Sequence, residues 1–209
     1  MISKFLTVAT AVVALSQNVY ANSISGDVNL INSKLETITV KGNQSFKNSQ
    51  FKSLTAYGTL NFDNIIIDET LKVDGAANGK ILACKAFHVN GALNVQNLKS
   101  SEAIVKGAFN GEDVVITGKT IIEGELNAKN SSFQDIEIKS TKSSLDDSTA
   151  HNILVNPTKN KPQKIILKGN TVISGDIVFE AGDGEVHVGD KVKIKGHVKG
   201  AKVIHDGCA

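Results

Sequence analysis

Apolar and polar positions alternate along most of this chain with a period of two, and the alternation restarts at regular intervals. The restarts are marked by Gly26, Gly42, Gly58, Gly75, Gly91, Gly107 and Gly124, at spacings of 16, 16, 17, 16, 16 and 17 residues. Two residues before each glycine stand Ile24, Val40, Ala56, Val73, Val89, Val105 and Ile122; two after come Val28, Leu60, Ala77, Leu93, Phe109 and Leu126, interrupted by Gln44. Nine after the glycine come Leu35, Phe51, Ile67, Cys84, Ser100, Ile116 and Phe133. A period of two with one apolar set is the mark of a strand that buries one face. The unit is too short to hold a strand–helix–strand crossover. It predicts one coil of a helix of strands, each coil hydrogen-bonded to the next at about 4.8 Å. A single coil has nothing to bury its apolar side against, whereas a stack makes a continuous interior. The expected fold is all-β, a single-stack parallel β-helix (β-solenoid) with coils of about 16–17 residues and longer coils at the C-terminus. Seven such coils predict a rod roughly 30 Å long.

The glycine falls in phase with the inward positions, so it predicts a bend where no side chain fits. Six copies share the template G-x-(apolar)-N, which sets Asn29, Asn61, Asn78, Asn94, Asn110 and Asn127 on the opposite, outward parity; Gly42-Asn43-Gln44-Ser45 is the divergent copy. Stacked amides can hydrogen-bond along the axis of such a rod. Two readings follow: a ladder that stabilises the face, or an amide-lined surface that binds a partner. The structural reading is preferred, because such ladders recur wherever like strands stack.

Beyond Gly124 the pattern changes. Ile136 and Ile138 still alternate, but residues 141–163 are mostly polar and hold both prolines, Pro157 and Pro162, which predicts an irregular excursion with one strand near His151 to Asn156. Alternation returns over 164–209, in Lys164 to Gly169 and Val172 to Phe179, then more loosely in Val186 to Gly189 and Val192 to Val198. Gly169 and Gly189 are 20 apart and Gly175 and Gly196 are 21 apart, so these coils are wider and are expected to continue or cap the same rod before a short tail.

The N-terminus reads as a targeting segment over residues 1–21. Lys4 supplies a positive start, Phe5 to Leu15 is apolar, and Val19-Tyr20-Ala21 offers small residues for cleavage before Asn22. The apolar run is short for a bilayer span, and no other segment is apolar enough, so no transmembrane segment is expected after its removal. Asn22 stands where a lipoprotein would need cysteine. The mature chain, a regular solenoid over 22–140 followed by the two later regions, is therefore expected to be exported, to the periplasm or beyond the cell.

The formal charge of +2 falls to +1 once Lys4 is removed, and all 23 basic residues are lysines. Without the arginine fork that grips phosphate and reads guanine, nucleic acid is not an expected partner. There is no Trp, and Tyr57 is the sole tyrosine beyond the leader, fewer flat rings than a sugar-binding groove normally presents.

Candidate chemistry is sparse. Cys84 shares the inward column of Phe51, Ile67 and Ile116 and reads as a small buried hydrophobe; Cys208 lies several coils further on, so a bridge between them would require the tail to fold back. His88, His151, His187, His197 and His205 match no zinc spacing and read as surface residues, with His88 facing solvent. Glu123 and Glu125 flank Gly124 on the outward parity, where carboxylates are ordinarily solvated charge rather than a glycosidase pair. The expectation is no catalytic residue, no cofactor and no metal.

Val105-Lys106-Gly107-Ala108-Phe109, Ile121-Ile122-Glu123-Gly124-Glu125-Leu126 and Val192-Lys193-Ile194-Lys195-Gly196-His197-Val198 resemble the short-coil repeat of the bactofilins. That resemblance implies a right-handed β-helix that assembles end to end into filaments without nucleotide and performs no catalysis. The chain departs from that family in its export segment and in the interruption at 141–163. The function expected is that of an exported structural or interaction protein that self-associates end to end or presents a flat face to an envelope or host partner. The alternative is a β-helix carbohydrate-active enzyme of the cell envelope, which would need a clustered acidic groove.

Overall fold

A computed structural model describes residues 23–159 and 162–206, together with the backbone of 5–14. Residues 15–22, which hold the expected cleavage position, lie outside the described residues, as does Cys208. The described chain is a parallel β-solenoid of about 11 turns with no helix. Its strands, in order, are β1 (Phe5–Ala14), β2 (Ser23–Ile31), β3 (Lys34–Glu123), β4 (Leu126–Lys129), β5 (Ser132–Lys139), β6 (Lys142–Asp146), β7 (Thr149–Ala150) and β8 (Asn152–Val155). They continue as β9 (Lys164–Lys168), β10 (Val172–Ile173), β11 (Ile177–Phe179), β12 (Gly184–Val188), β13 (Lys193–Ile194), β14 (Val198–Lys199) and β15 (Ala201–His205). At the usual spacing between paired strands, that many turns make a rod roughly 50 Å long.

The predicted register is the observed one. Ile24 pairs with Val40 and Val28 with Gln44, a step of 16; Phe109 pairs with Leu126 and Leu126 with Ser143, a step of 17. Strand β3 runs 90 residues without a break because the chain turns each corner while keeping its ladder. Val73, Val89 and Val105 are all buried in one continuous core that runs from Ile24 to Val188. Within it Phe46 packs on Phe51 with ring centres 5.1 Å apart, and Phe87 meets Phe109 edge-on at 6.0 Å, both favoured arrangements of aromatic quadrupoles.

Three corners shape each coil. The first is the glycine, at φ between +106° and +144° in all seven copies. The expected reason for glycine was a lack of room inside the bend, but the obstruction lies along the rod. A Cβ on Gly42 would sit 2.7 Å from the carbonyl oxygen of Gly26, and one on Gly75, Gly91, Gly107 or Gly124 would press harder still on the glycine carbonyl one coil earlier. The second corner lies six residues later, in left-handed conformation at Asn32, Asn48, Asn64, Ile81, Asn97, Asp113, Asn130 and Asp147. Asn and Asp tolerate that conformation better than other residues with a Cβ. The third corner absorbs the extra residue of the 17-residue coils: pairing slips between Ile116 and Lys119.

The excursion expected over 141–163 is mostly absent. Strands β6, β7 and β8 form another complete coil, with Ser143 under Leu126 and Ile153 under Ile136. The irregular part shrinks to 156–163, between β8 and β9. This coil hides from an apolarity reading because Ser143 and Ser148 occupy inward positions and are buried there. Gln163 pins the loop: its amide donates to the carbonyls of Ser140 and Asn156, both at 2.8 Å.

Candidate functional site

The Asn column was the one surface feature that the sequence singled out. In the structure Asn94 Nδ2 donates to Asn78 Oδ1 at 2.7 Å, Asn110 to Asn94 at 2.8 Å, and Asn127 to Asn110 at 3.0 Å. Each central amide thus gives one N–H and accepts one within the ladder, spending part of its capacity on its neighbours. Asn29 pairs in register with Ser45, so the column is broken before Asn61.

A second polar column escaped the sequence reading. One residue past the left-handed corner stand Ser33, Ser49, Ser131 and Ser148, all buried, and buried Thr171 continues the column by accepting the Ser148 N–H at 3.2 Å. Ser131 Oγ donates to the Lys129 carbonyl at 2.7 Å while accepting the Val114 N–H at 3.1 Å; Ser148 repeats this with Asp146 and Ser131 at 2.7 and 3.0 Å. These hydroxyls satisfy backbone groups that the corner would leave unpaired. The signal was present as Asn/Asp followed by Ser at the coil spacing, at Asn32-Ser33, Asn48-Ser49 and Asn130-Ser131. Reading only glycines and apolar residues passed over it.

The titratable groups are spread out. Glu123 pairs with Lys106 at 3.7 Å on the surface, and Glu125 is exposed. Cys84 is partly buried against the core; desolvation pushes its thiol up to about 11, partly offset by a hydrogen bond to Ser100. A thiol held that high is almost wholly protonated at neutral pH and correspondingly inert. His187 lies between Asp206 at 3.0 Å and Glu185 at 3.2 Å; that hydrogen bond, followed by one from Lys164, lowers the pKa of Glu185. His151 bonds Asp135 at 3.2 Å, and His197 lies 3.6 Å from Asp176. His88 is half-buried rather than fully in solvent, while His205 is exposed. Among the described residues, no three His, Cys, Asp or Glu side chains come together in a way that would hold a metal ion. A shallow groove of about 440 Å³ lies on the face before the glycine corner, lined by Thr55, Tyr57, Lys72, Asp74, His88 and Lys106 among others.

The two ends of the rod differ. At the N-terminal end, Ile24, Val28 and Leu30 are buried, and strand β1 pairs in parallel with β2 along that edge. At the other end, β13, β14 and β15 pair only with the preceding coil among the described residues, Val203 is 39% exposed, and Ile194 and Val198 are half-buried. Among the described residues the last coil therefore offers an open strand edge above a partly covered piece of core. No helix among the described residues is long and apolar enough to cross a membrane. No family model matches the chain, and neither a curated protein nor a solved structure is significantly similar to it.

Proposed function

We propose that this chain is an exported structural rod without catalytic activity that joins other copies of itself through its ends. The observation that carries the reading is the open C-terminal coil. Among the described residues no further strand pairs with its outer edge, and its inward residues Ile194, Val198 and Val203 are incompletely covered. Unpaired strand edges template the addition of further strands, and solenoids stay single when terminal coils with polar outer faces close the stack. The resemblance to bactofilins points the same way. Sedimentation across a wide concentration range tests the proposal: mass should rise with concentration, and a strict monomer throughout would refute it.

The groove beside Tyr57 favours a second reading, in which one face of the rod meets an envelope or host partner. Here Lys41 lies over the Tyr57 ring at 5.7 Å. The carbohydrate-enzyme alternative is tested by a screen against polysaccharides. Turnover that disappears on changing Glu123 or Glu125 would replace the structural reading with an enzymatic one.

A further inference from the structure

The N-terminal strand bears directly on how such ends would join. Strand β1 lies along β2 as an extra coil would. Its steps are 18 residues at Phe5↔Ser23 and 17 at Thr10↔Asp27, close to those of the coils themselves. Its register sets Leu6 opposite Ile24, Ala11 opposite Val28 and Val13 opposite Leu30. The same edge is where another coil would add.

The last coil fits that edge. Val28 and Val203 are the first and last members of the inward column two residues past the glycine corner: Val28 pairs with Gln44, and at the far end Ile165 pairs with Val186 and Val186 with Val203. Stacking a second copy head to tail continues the columns on either side of the glycine corner across the joint and keeps all strands parallel. It brings Val28 over Val203, where Val28 is 3% exposed under β1 and Val203 is 39% exposed, with no strand above it among the described residues. The neighbouring outward column brings Asp27 over Lys202, whereas the third-face column that runs from Leu35 to Ile194 holds one coil fewer and ends one strand short of contact. A tail-to-tail joint is far worse: residues 191–206 carry five lysines against Asp206 alone, and like charges set face to face oppose association.

We infer that β1 is a removable end cap, occupying the edge of the first coil on which the C-terminal coil of a second copy seats, with Lys202 over Asp27 and Val203 over Val28. The inference rests on the end-to-end reading above and adds to it what controls the joint and where it lies. Thr10 and Ala11 hold the positions that Lys202 and Val203 would take, so cap and second copy compete for one ladder. Removing the cap turns a closed end into a joining end, and a head-to-tail contact of this kind does not close on itself but grows into a filament.

The experiment uses the full, uncut chain with a site-specific protease sequence inserted between Ala21 and Asn22, sedimented before and after cutting and removal of the released segment. The uncut chain should remain single at concentrations where the cut chain's weight-average mass has risen roughly twofold or more, as expected for an open-ended joint. Equal association of both would overturn the cap and leave the end-to-end reading standing. Absence of association in both would overturn that reading and the cap with it. In the cut chain Lys202→Glu, at an exposed position, should weaken association roughly tenfold, and adding Asp27→Lys should restore it. An unchanged affinity, or no rescue by the double exchange, would overturn the register.

Discussion

The first seven coils and the last four solve the same corner in different ways. In β2 and β3 the corner is a single glycine stacked on the carbonyl of the glycine before it. After Gly124 the glycine is lost, and the corner takes more chain: Ser140 and Thr141, with Ser140 Oγ donating to the Lys142 carbonyl at 2.7 Å, then the loop 156–163, then 181–184. The inward columns continue unchanged through all three, as Ile138, Val155 and Phe179 show by pairing in turn. The comparison teaches that two separable devices build the rod. Burial of the columns holds the coils in register, while the glycine sets how tightly the chain can turn. Where the glycine goes, the corner becomes the place at which insertions emerge.

The sharpest way to break this contrast is to place a side chain at the tight corner. Gly91→Ala should destabilise by about 3–5 kcal/mol, since overpacking against backbone adds to strain at a φ of +136°. Gly182→Ala, in the widened corner with nothing near its would-be Cβ, should cost about 1 kcal/mol from its positive φ alone. Urea unfolding of the two variants measures the difference, and equal losses would mean that the glycine column does not limit the turn. Next in size is Gln44, 1% exposed in the inward column with both amide atoms unpartnered. Gln44→Leu should stabilise by about 1–2 kcal/mol, the cost of leaving a buried polar group unbonded. A loss of stability would show that the amide contributes where it stands. Smaller again is Ile81, a β-branched residue at φ 57° in a column of Asn and Asp and 46% exposed. Ile81→Asn should raise stability by about 1 kcal/mol in the same assay.

The widened region should also answer to acid. The backbone N–H of His197, then Lys199, hold Asp176 down from its ordinary 3.8 to about 2. A carboxylate lowered on folding contributes stability above the ordinary carboxylate range, and that contribution is lost as pH falls toward about 2. Hydrogen exchange during acidification should therefore show the coils around β11 and β14 loosening before β3. Asp176→Asn should remove the pH dependence there, and simultaneous loosening of the whole rod would contradict this assignment.

Much of the fold was legible because a strand's period of two, repeated at the coil spacing, leaves few architectures open. The glycine and inward columns, including Val73, Val89 and Val105, could be aligned by eye. The coil at 142–155 was illegible to the same reading because its inward Ser143 and Ser148 are polar in type yet buried in place. The left-handed corner was missed because a positive φ leaves no mark in apolarity, and Ile81 breaks the column even for a reader who looks for Asn. The joining ends were not legible either, since exposure at Val203 and coverage at Val28 depend on what lies above each.

By itself the amino-acid sequence determined that this chain is a parallel stack of coils, where it turns at the glycines, and which apolar residues of the first coils face inward. Those properties follow from side-chain parity and repeat length, which are local. Only the tertiary structure decided why the glycines are needed, how far the stack continues past Gly124, and which end is open. Each of these depends on contacts between residues one coil or more apart, and the periodicity of a chain fixes that they will meet without saying what they will find when they do.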